Sequence, residues 1–167
     1  MLETVVQQSF TDADIARMAI RHEERGHHFY TVLARATSEP EIRQVFLKLA
    51  EEELEHARAF KQILDSVQQS GNNVFGKSST EYIRAILERD IFGTQTAGER
   101  IPDVRDIKEA FALGIQAEKD AILFYHELYS NCQSPEAKRT LEKLLETEKM
   151  HLVDLRNQME DSPRYTG

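Results

Sequence analysis

Apolar residues recur at steps of three and four along most of this chain, the spacing that places side chains on one face of an α-helix. Proline and polar clusters, such as Ser38-Glu39-Pro40, interrupt the pattern between segments. Thr11 or Asp12 can cap the first helix. The pattern predicts four long helices at about residues 11–37, 40–69, 104–131 and 135–159, and a short amphipathic helix at about 79–92.

The lengths of the connections predict how these helices are arranged. Only a few residues join the first long helix to the second and the third to the fourth, so each pair must form an antiparallel hairpin. More than thirty residues separate the hairpins, a length typical of a crossover. We therefore predict an all-α protein, a ferritin-like four-helix bundle with residues 1–167 as one domain. The short helix is expected to cover an open side of the bundle or to contribute to a subunit interface.

Each long helix has an apolar face that becomes acidic or histidyl near its middle. A glutamate followed thirty residues later by Glu-x-x-His occurs twice, 95 positions apart, at Glu23, Glu53, His56 and at Glu118, Glu148, His151. Flanking residues repeat as well, so the chain contains two copies of one helical hairpin. We expect the acidic and histidyl positions, which interrupt the apolar faces of the four helices, to lie at one level of the bundle.

Such a cluster favours metal binding because burying several ionised carboxylates without compensation costs several kcal/mol per ion. Two divalent cations neutralise four glutamates, and two imidazoles complete the set without filling every coordination position. Oxygen-rich ligands with two nitrogens suit iron or manganese, and zinc is also possible. The predicted ligands are the six residues of the repeat.

Other residues receive smaller predicted roles. Tyr30 and Tyr125 lie two turns after the first glutamate of each repeat, where their hydroxyls could bond a ligand carboxylate. Gly26 and Ala121 are expected to leave room beside the ligands. Residues off the apolar faces are expected at the surface or without a direct role, and Cys132 in the core; the off-face set is Glu24, Glu51, Glu52, Glu55, Glu146, His22, His27, His28 and His126.

Composition and charge limit the kinds of partner and the cellular location that the sequence allows. The net charge of −8 argues against nucleic acid or an anionic membrane as partner. A single cysteine rules out an intrachain disulfide and a Cys-x-x-Cys metal knuckle. The N-terminus has no signal-peptide pattern, and no apolar run is long enough to span a bilayer. We expect a soluble cytoplasmic protein.

The doubled motif resembles that of the rubrerythrin branch of the ferritin-like superfamily. The similarity covers about residues 12 to 158, and its carriers are Glu23-x-x-Gly26-x-x-Phe29-Tyr30 with Glu53-x-x-His56, then Glu118-x-x-Ala121-x-x-Phe124-Tyr125 with Glu148-x-x-His151. The resemblance implies the same six ligands and a di-iron centre. It also implies reduction of hydrogen peroxide or dioxygen, or oxidation of ferrous iron.

This chain departs from the family pattern at three points. Rubrerythrins typically carry a rubredoxin domain with two Cys-x-x-Cys knuckles, a glutamate at the position of Ala121 and another at the position of His151; this chain has none of the three. Its four-Glu, two-His set resembles bacterioferritin-type centres. We expect a di-iron oxidoreductase that uses peroxide or dioxygen and an external electron donor, in a homodimer or larger homo-oligomer. The alternatives are a ferroxidase or iron-handling protein, and a non-enzymatic metal-stabilised bundle.

Overall fold

The computed structural model describes residues 10–71, 73–77, 80–88 and 106–161. In these ranges the chain forms five α-helices: α1 (Asp12–Ala36), α2 (Pro40–Ser70), α3 (Thr80–Glu88), α4 (Ile107–Asn131) and α5 (Pro135–Asp161). The predicted helices agree to within a few residues, and residues 79, 89–92 and 104–105 of those predictions lie outside the described ranges. The prediction of one domain over 1–167 also includes segments outside them and stays a prediction.

Local side-chain chemistry sets the helix starts. The Thr11 hydroxyl accepts a hydrogen bond from the backbone N–H of Asp14, whose carboxylate accepts one from the backbone N–H of Thr11. Asp106 caps α4 by accepting from the backbone N–H of Glu109 at 2.9 Å. Asp12 does not cap α1. Its buried carboxylate accepts from backbone N–H groups of the turn after α2, at residues 73–75.

The long helices form two hairpins, as the connection lengths predicted. Three residues, 37–39, join α1 to α2, and three more, 132–134, join α4 to α5. Helix α1 packs along α2 and α4 along α5, while α2 contacts α5 and α1 contacts α4 across the bundle. The predicted all-α, ferritin-like bundle is confirmed. No helix among the described residues has the length and hydropathy needed to cross a membrane.

The short helix α3 belongs to the core of this chain. It packs against α4, and its Ile83 and Ile86 are buried with Val74 and Phe75 of the preceding turn. These contacts agree with a helix that covers the bundle, the first of the two roles expected for it.

Two apolar clusters occupy the bundle, one on each side of its middle. The first contains Ala19 of α1, Phe60 of α2 and Leu144 of α5. The second contains Phe46 of α2 and Leu155 of α5, together with other large side chains from α1 and α4. Along every long helix, the acidic and histidyl positions fall between the residues of one cluster and those of the other. The four interruptions therefore meet at one level, as predicted.

Candidate metal centre

The six predicted ligands come together in the middle of the bundle. All six are buried, with Glu23 and Glu148 fully inaccessible to solvent and the least buried residue, His56, only 6% exposed. The set is listed by helix as Glu23 on α1, Glu53 and His56 on α2, Glu118 on α4, and Glu148 and His151 on α5. The one-turn spacing of Glu-x-x-His places both side chains of each pair on the same helix face.

Among the described residues, two overlapping groups have the geometry to hold a metal ion. One consists of Glu23 and His56 with Glu53 and Glu148; the other adds Glu118 and His151 to the same two glutamates. Within each group the ligand atoms lie within 4.8 Å of one another. Glu53 and Glu148 belong to both groups, so they could contribute to the binding of two ions, and each ion would also have one further glutamate and one histidine.

The imidazoles face the centre through the same ring nitrogen. Nδ1 of His56 lies 2.8 Å from Oε1 of Glu148 and 3.5 Å from Oε2 of Glu23. Nδ1 of His151 lies 3.4 Å from Oε2 of Glu118 and 3.4 Å from Oε2 of Glu148. The two rings stack with centroids 5.5 Å apart. Both nitrogens therefore have several carboxylate oxygens around them.

Several of these buried atoms lack a hydrogen-bond partner of proper geometry despite the short distances. They are both carboxylate oxygens of Glu23, both of Glu148, and Nδ1 of His56 and of His151. Unsatisfied buried polar atoms are rare in folded proteins because each costs about 1–3 kcal/mol, and more when charged. Atoms directed at a common centre instead of at one another are what a metal ion requires, so the residues fit a di-metal group.

The pKa values of the four carboxyl groups in the centre are shifted in opposite directions. Burial raises the pKa of Glu23 and of Glu118 well above the ordinary value, and the neighbouring negative charges raise both further. Burial also opposes the ionisation of Glu53 and Glu148. Contacts with neighbouring groups nevertheless lower the pKa of Glu53 well below its ordinary value, and contacts with the two imidazoles lower that of Glu148 to about 2.

The pKa values of both histidines are raised. Burial would lower the pKa of His56, but the contacts with Glu148, Glu23 and Glu53 outweigh it and raise that pKa well above its ordinary value. The pKa of His151 is raised in the same way. The carboxylates of the centre therefore favour the charged form of both imidazoles.

The two tyrosines of the repeat differ in their contacts. The Tyr30 hydroxyl donates a hydrogen bond to Oε1 of Glu118, which agrees with the predicted role beside a ligand carboxylate. The Tyr125 hydroxyl is equally buried but has no hydrogen-bond partner among the described residues, and the ring packs at its edge against His22. Of the two tyrosines, Tyr30 is therefore the one that contacts a predicted ligand through its hydroxyl.

Glycine at position 26 makes room for the side chain of Glu53. A Cβ atom added at Gly26 would lie 3.3 Å from both Cγ and Cδ of Glu53, which is closer than an ordinary van der Waals contact. Ala121, at the equivalent position of the second repeat, is also buried. The expectation that Gly26 leaves room beside a ligand agrees with this close approach.

The expectation of a solvated surface was wrong for Glu52. This residue is half-buried, and its Oε2 lies 3.1 Å from Nε2 of His151, the ring nitrogen that faces away from the centre. The hydrogen bond from His151 lowers the pKa of Glu52. The sequence does distinguish Glu52 from the predicted ligands, because the 95-residue repeat has Thr147 at the equivalent position and so does not repeat this carboxylate.

The other off-face residues divide between surface and structural positions. None is in either metal-binding group. His22 is buried, contrary to its off-face position, and Nδ1 of His27 bonds the carbonyl oxygen of Ala50 at 2.7 Å and so ties α1 to α2. Cys132 is buried, as expected. The exposed members are Glu24, Glu51, Glu55, Glu146, His28 and His126.

The fold and this centre define a ferritin-like di-metal carboxylate protein. The family model for rubrerythrin matches residues 14–159, and the chain belongs to the rubrerythrin family. A crystal structure described as that of a ferritin-like diiron-carboxylate protein from Thermotoga maritima is similar, with a TM-score of 0.66 and 28% sequence identity. The alignment covers 93% of this chain and 98% of that one. Among curated proteins, none matches the chain.

Proposed function

We propose that this protein is a di-iron oxidoreductase that reduces hydrogen peroxide or dioxygen. The observation that carries the proposal is the pair of overlapping groups of buried side chains that share Glu53 and Glu148 and contain unsatisfied carboxylate oxygens and imidazole nitrogens. The description of the Thermotoga maritima relative as a diiron-carboxylate protein supports iron as the metal. Oxygen-rich ligands with one imidazole per ion also suit iron.

The protein residues have distinct roles in this reaction. Two ferrous ions would supply one electron each to hydrogen peroxide, which takes up two protons and yields two molecules of water. Glu53 and Glu148 would hold the ions side by side, and Tyr30 would fix Glu118 through its hydrogen bond. The surrounding apolar clusters exclude bulk water from the centre. An external donor must return two electrons after each turnover.

Anaerobic loading with ferrous iron followed by stopped-flow mixing tests the proposal. We expect peroxide or dioxygen to oxidise the bound iron faster than free ferrous iron at the same concentration, with two ferrous ions consumed per peroxide. Glu148→Ala should remove the acceleration, and Glu51→Ala, which changes an exposed carboxylate on α2, should retain it. No acceleration by either oxidant would refute the proposed reaction.

The same experiment separates the alternative functions. A ferroxidase would continue to oxidise added ferrous iron well beyond two ions per chain, with dioxygen as the oxidant. A metal-stabilised bundle without enzymatic activity would show a higher melting temperature with metal, as linkage requires, and no reaction with either oxidant.

A further inference from the structure

The two histidines of the centre are not equivalent on the side that faces away from it. His151 has a carboxylate at its outer nitrogen, because Oε2 of Glu52 lies 3.1 Å from Nε2. The other oxygen of Glu52 lies 3.8 Å from Nζ of Lys48, which in turn lies 3.7 Å from Oδ2 of Asp154 on α5. Glu52 is therefore held between α2 and α5, at the contact between the two hairpins.

The internal repeat places no carboxylate at the equivalent position beside His56. Residue 147 corresponds to residue 52 by the 95-residue offset, and it is a threonine. The Thr147 hydroxyl donates a hydrogen bond to the carbonyl oxygen of Lys143 within α5, at 3.1 Å. The six predicted ligands are the same in both copies of the repeat, but the carboxylate of Glu52 beside His151 is not repeated in the second copy.

This difference bears on metal binding because a neutral imidazole has only one ring proton. A histidine that binds a metal through Nδ1 must carry its proton on Nε2, and an acceptor at Nε2 fixes both this tautomer and the ring orientation. A carboxylate acceptor also increases the basicity of the metal-binding nitrogen. Glu52 offers both effects to His151.

We propose that Glu52 is a positioning residue that makes the two metal subsites unequal, so that the subsite of His151 binds its ion more tightly than the subsite of His56. This inference rests on the proposed di-metal centre. Loss of a carboxylate behind a metal-bound histidine typically lowers metal affinity about 10- to 100-fold, and we expect a loss of this size at one subsite only.

Titration with Co²⁺, followed anaerobically by its ligand-field absorption, tests the inference in metal-free protein. His56→Ala leaves the subsite of His151 complete, and His151→Ala leaves the other subsite complete. Adding Glu52→Ala should weaken Co²⁺ binding roughly 10- to 100-fold in the first background and less than about 3-fold in the second. Equal weakening in both backgrounds, or none in either, would overturn the inference.

A second measurement does not depend on how well the histidine variants fold. In otherwise unchanged protein loaded with Zn²⁺ and labelled with ¹⁵N-histidine, the Nε2 proton of His151 should exchange slowly with solvent, and Glu52→Ala should make this exchange rapid. Thr147→Ala and Glu51→Ala are the matched controls, and both should leave the signal unchanged. An unchanged signal in Glu52→Ala would also overturn the inference.

The outcomes distinguish this inference from the proposed function. Failure of the unmodified protein to bind two Co²⁺ ions would refute the di-metal centre itself. Binding of two ions with the same stepwise affinities in Glu52→Ala as in the unmodified protein would refute only the role of Glu52.

Discussion

Metal loading should release about two or more protons per chain, because the cations displace the protons that the perturbed groups of the centre hold. The imidazole rings of His56 and His151 account for about two of them, since the surrounding carboxylates raise their pKa values. Burial and neighbouring negative charge raise the pKa values of Glu23 and Glu118, so any proton that these carboxyl groups hold at the pH of the experiment adds to the number.

Ordinary pKa values would give a very different number. At pH 7 free carboxyl groups are already ionised, and two imidazoles with a pKa of about 6.5 would together release only about half a proton. The contrast between about two or more protons and about half a proton is a direct measure of how strongly the fold perturbs these groups.

Isothermal titration calorimetry measures the number. Co²⁺ is titrated into metal-free protein at pH 7 in several weakly coordinating buffers, and the slope of the observed enthalpy against the buffer ionisation enthalpy gives the protons released per chain. Glu51→Gln, at an exposed carboxylate, should not change the slope, whereas Glu118→Gln should reduce it. A slope below one proton in the unmodified protein would refute the raised pKa values of the histidines.

Three further predictions concern the residues around the ligands. In urea denaturation of metal-free protein, Tyr30→Phe should lower the free energy of unfolding by about 1–2 kcal/mol, because the hydrogen bond to Glu118 is lost. Tyr125→Phe should leave the free energy of unfolding nearly unchanged, since the hydroxyl of Tyr125 has no hydrogen-bond partner among the described residues. An equal decrease in both variants would contradict the prediction. The melting temperature of metal-free protein should fall as the pH rises from 6.5 to 9. Over this range His56 and His151 keep protons in the folded state that the unfolded state has released, because their pKa values are raised on folding, so higher pH favours unfolding. A melting temperature that rises with pH over this range would contradict the prediction. Gly26→Ala should weaken Co²⁺ binding about 10-fold by displacing Glu53, whereas Gly114→Ala, whose added Cβ would meet Leu155 and Tyr30 instead, should affect thermal stability more than affinity.

The helix pattern and the repeat were sufficient to predict the fold and the convergence of the six residues. Helical periodicity assigns a face to each residue, and short connections fix antiparallel pairing, so residues at mid-helix on the apolar faces must meet. Helix α4 begins at Ile107 because Asp106 caps it, and periodicity alone does not mark such a cap. Periodicity also assigns Asp12 only to its own helix, since its bonds to residues 73–75 join segments distant in sequence.

Residues at the edge of an apolar face were harder to predict. Glu52 lies one position before a ligand, and helical geometry turns it by about 100° away from Glu53, toward what a single helix would present as solvent. In the bundle this direction leads to α5, where His151 approaches. His22 has the same relation to Glu23 and is also buried. Periodicity describes one helix at a time, and these contacts depend on how closely two hairpins approach.

The internal repeat explains why symmetry and asymmetry coexist in this centre. Metal binding constrains the ligands, because removing one carboxylate from either half would leave a buried charge uncompensated, and removing one imidazole would leave an ion without one of its ligands. The residues behind them carry no such constraint, and there the two halves differ: Glu52 against Thr147, and His22 against Ala117. Tyr30 bonds Glu118, whereas Tyr125 bonds no ligand. Two ions bound at this centre would have ligands of the same types but different surroundings, which would allow the protein to bind one ion before the other.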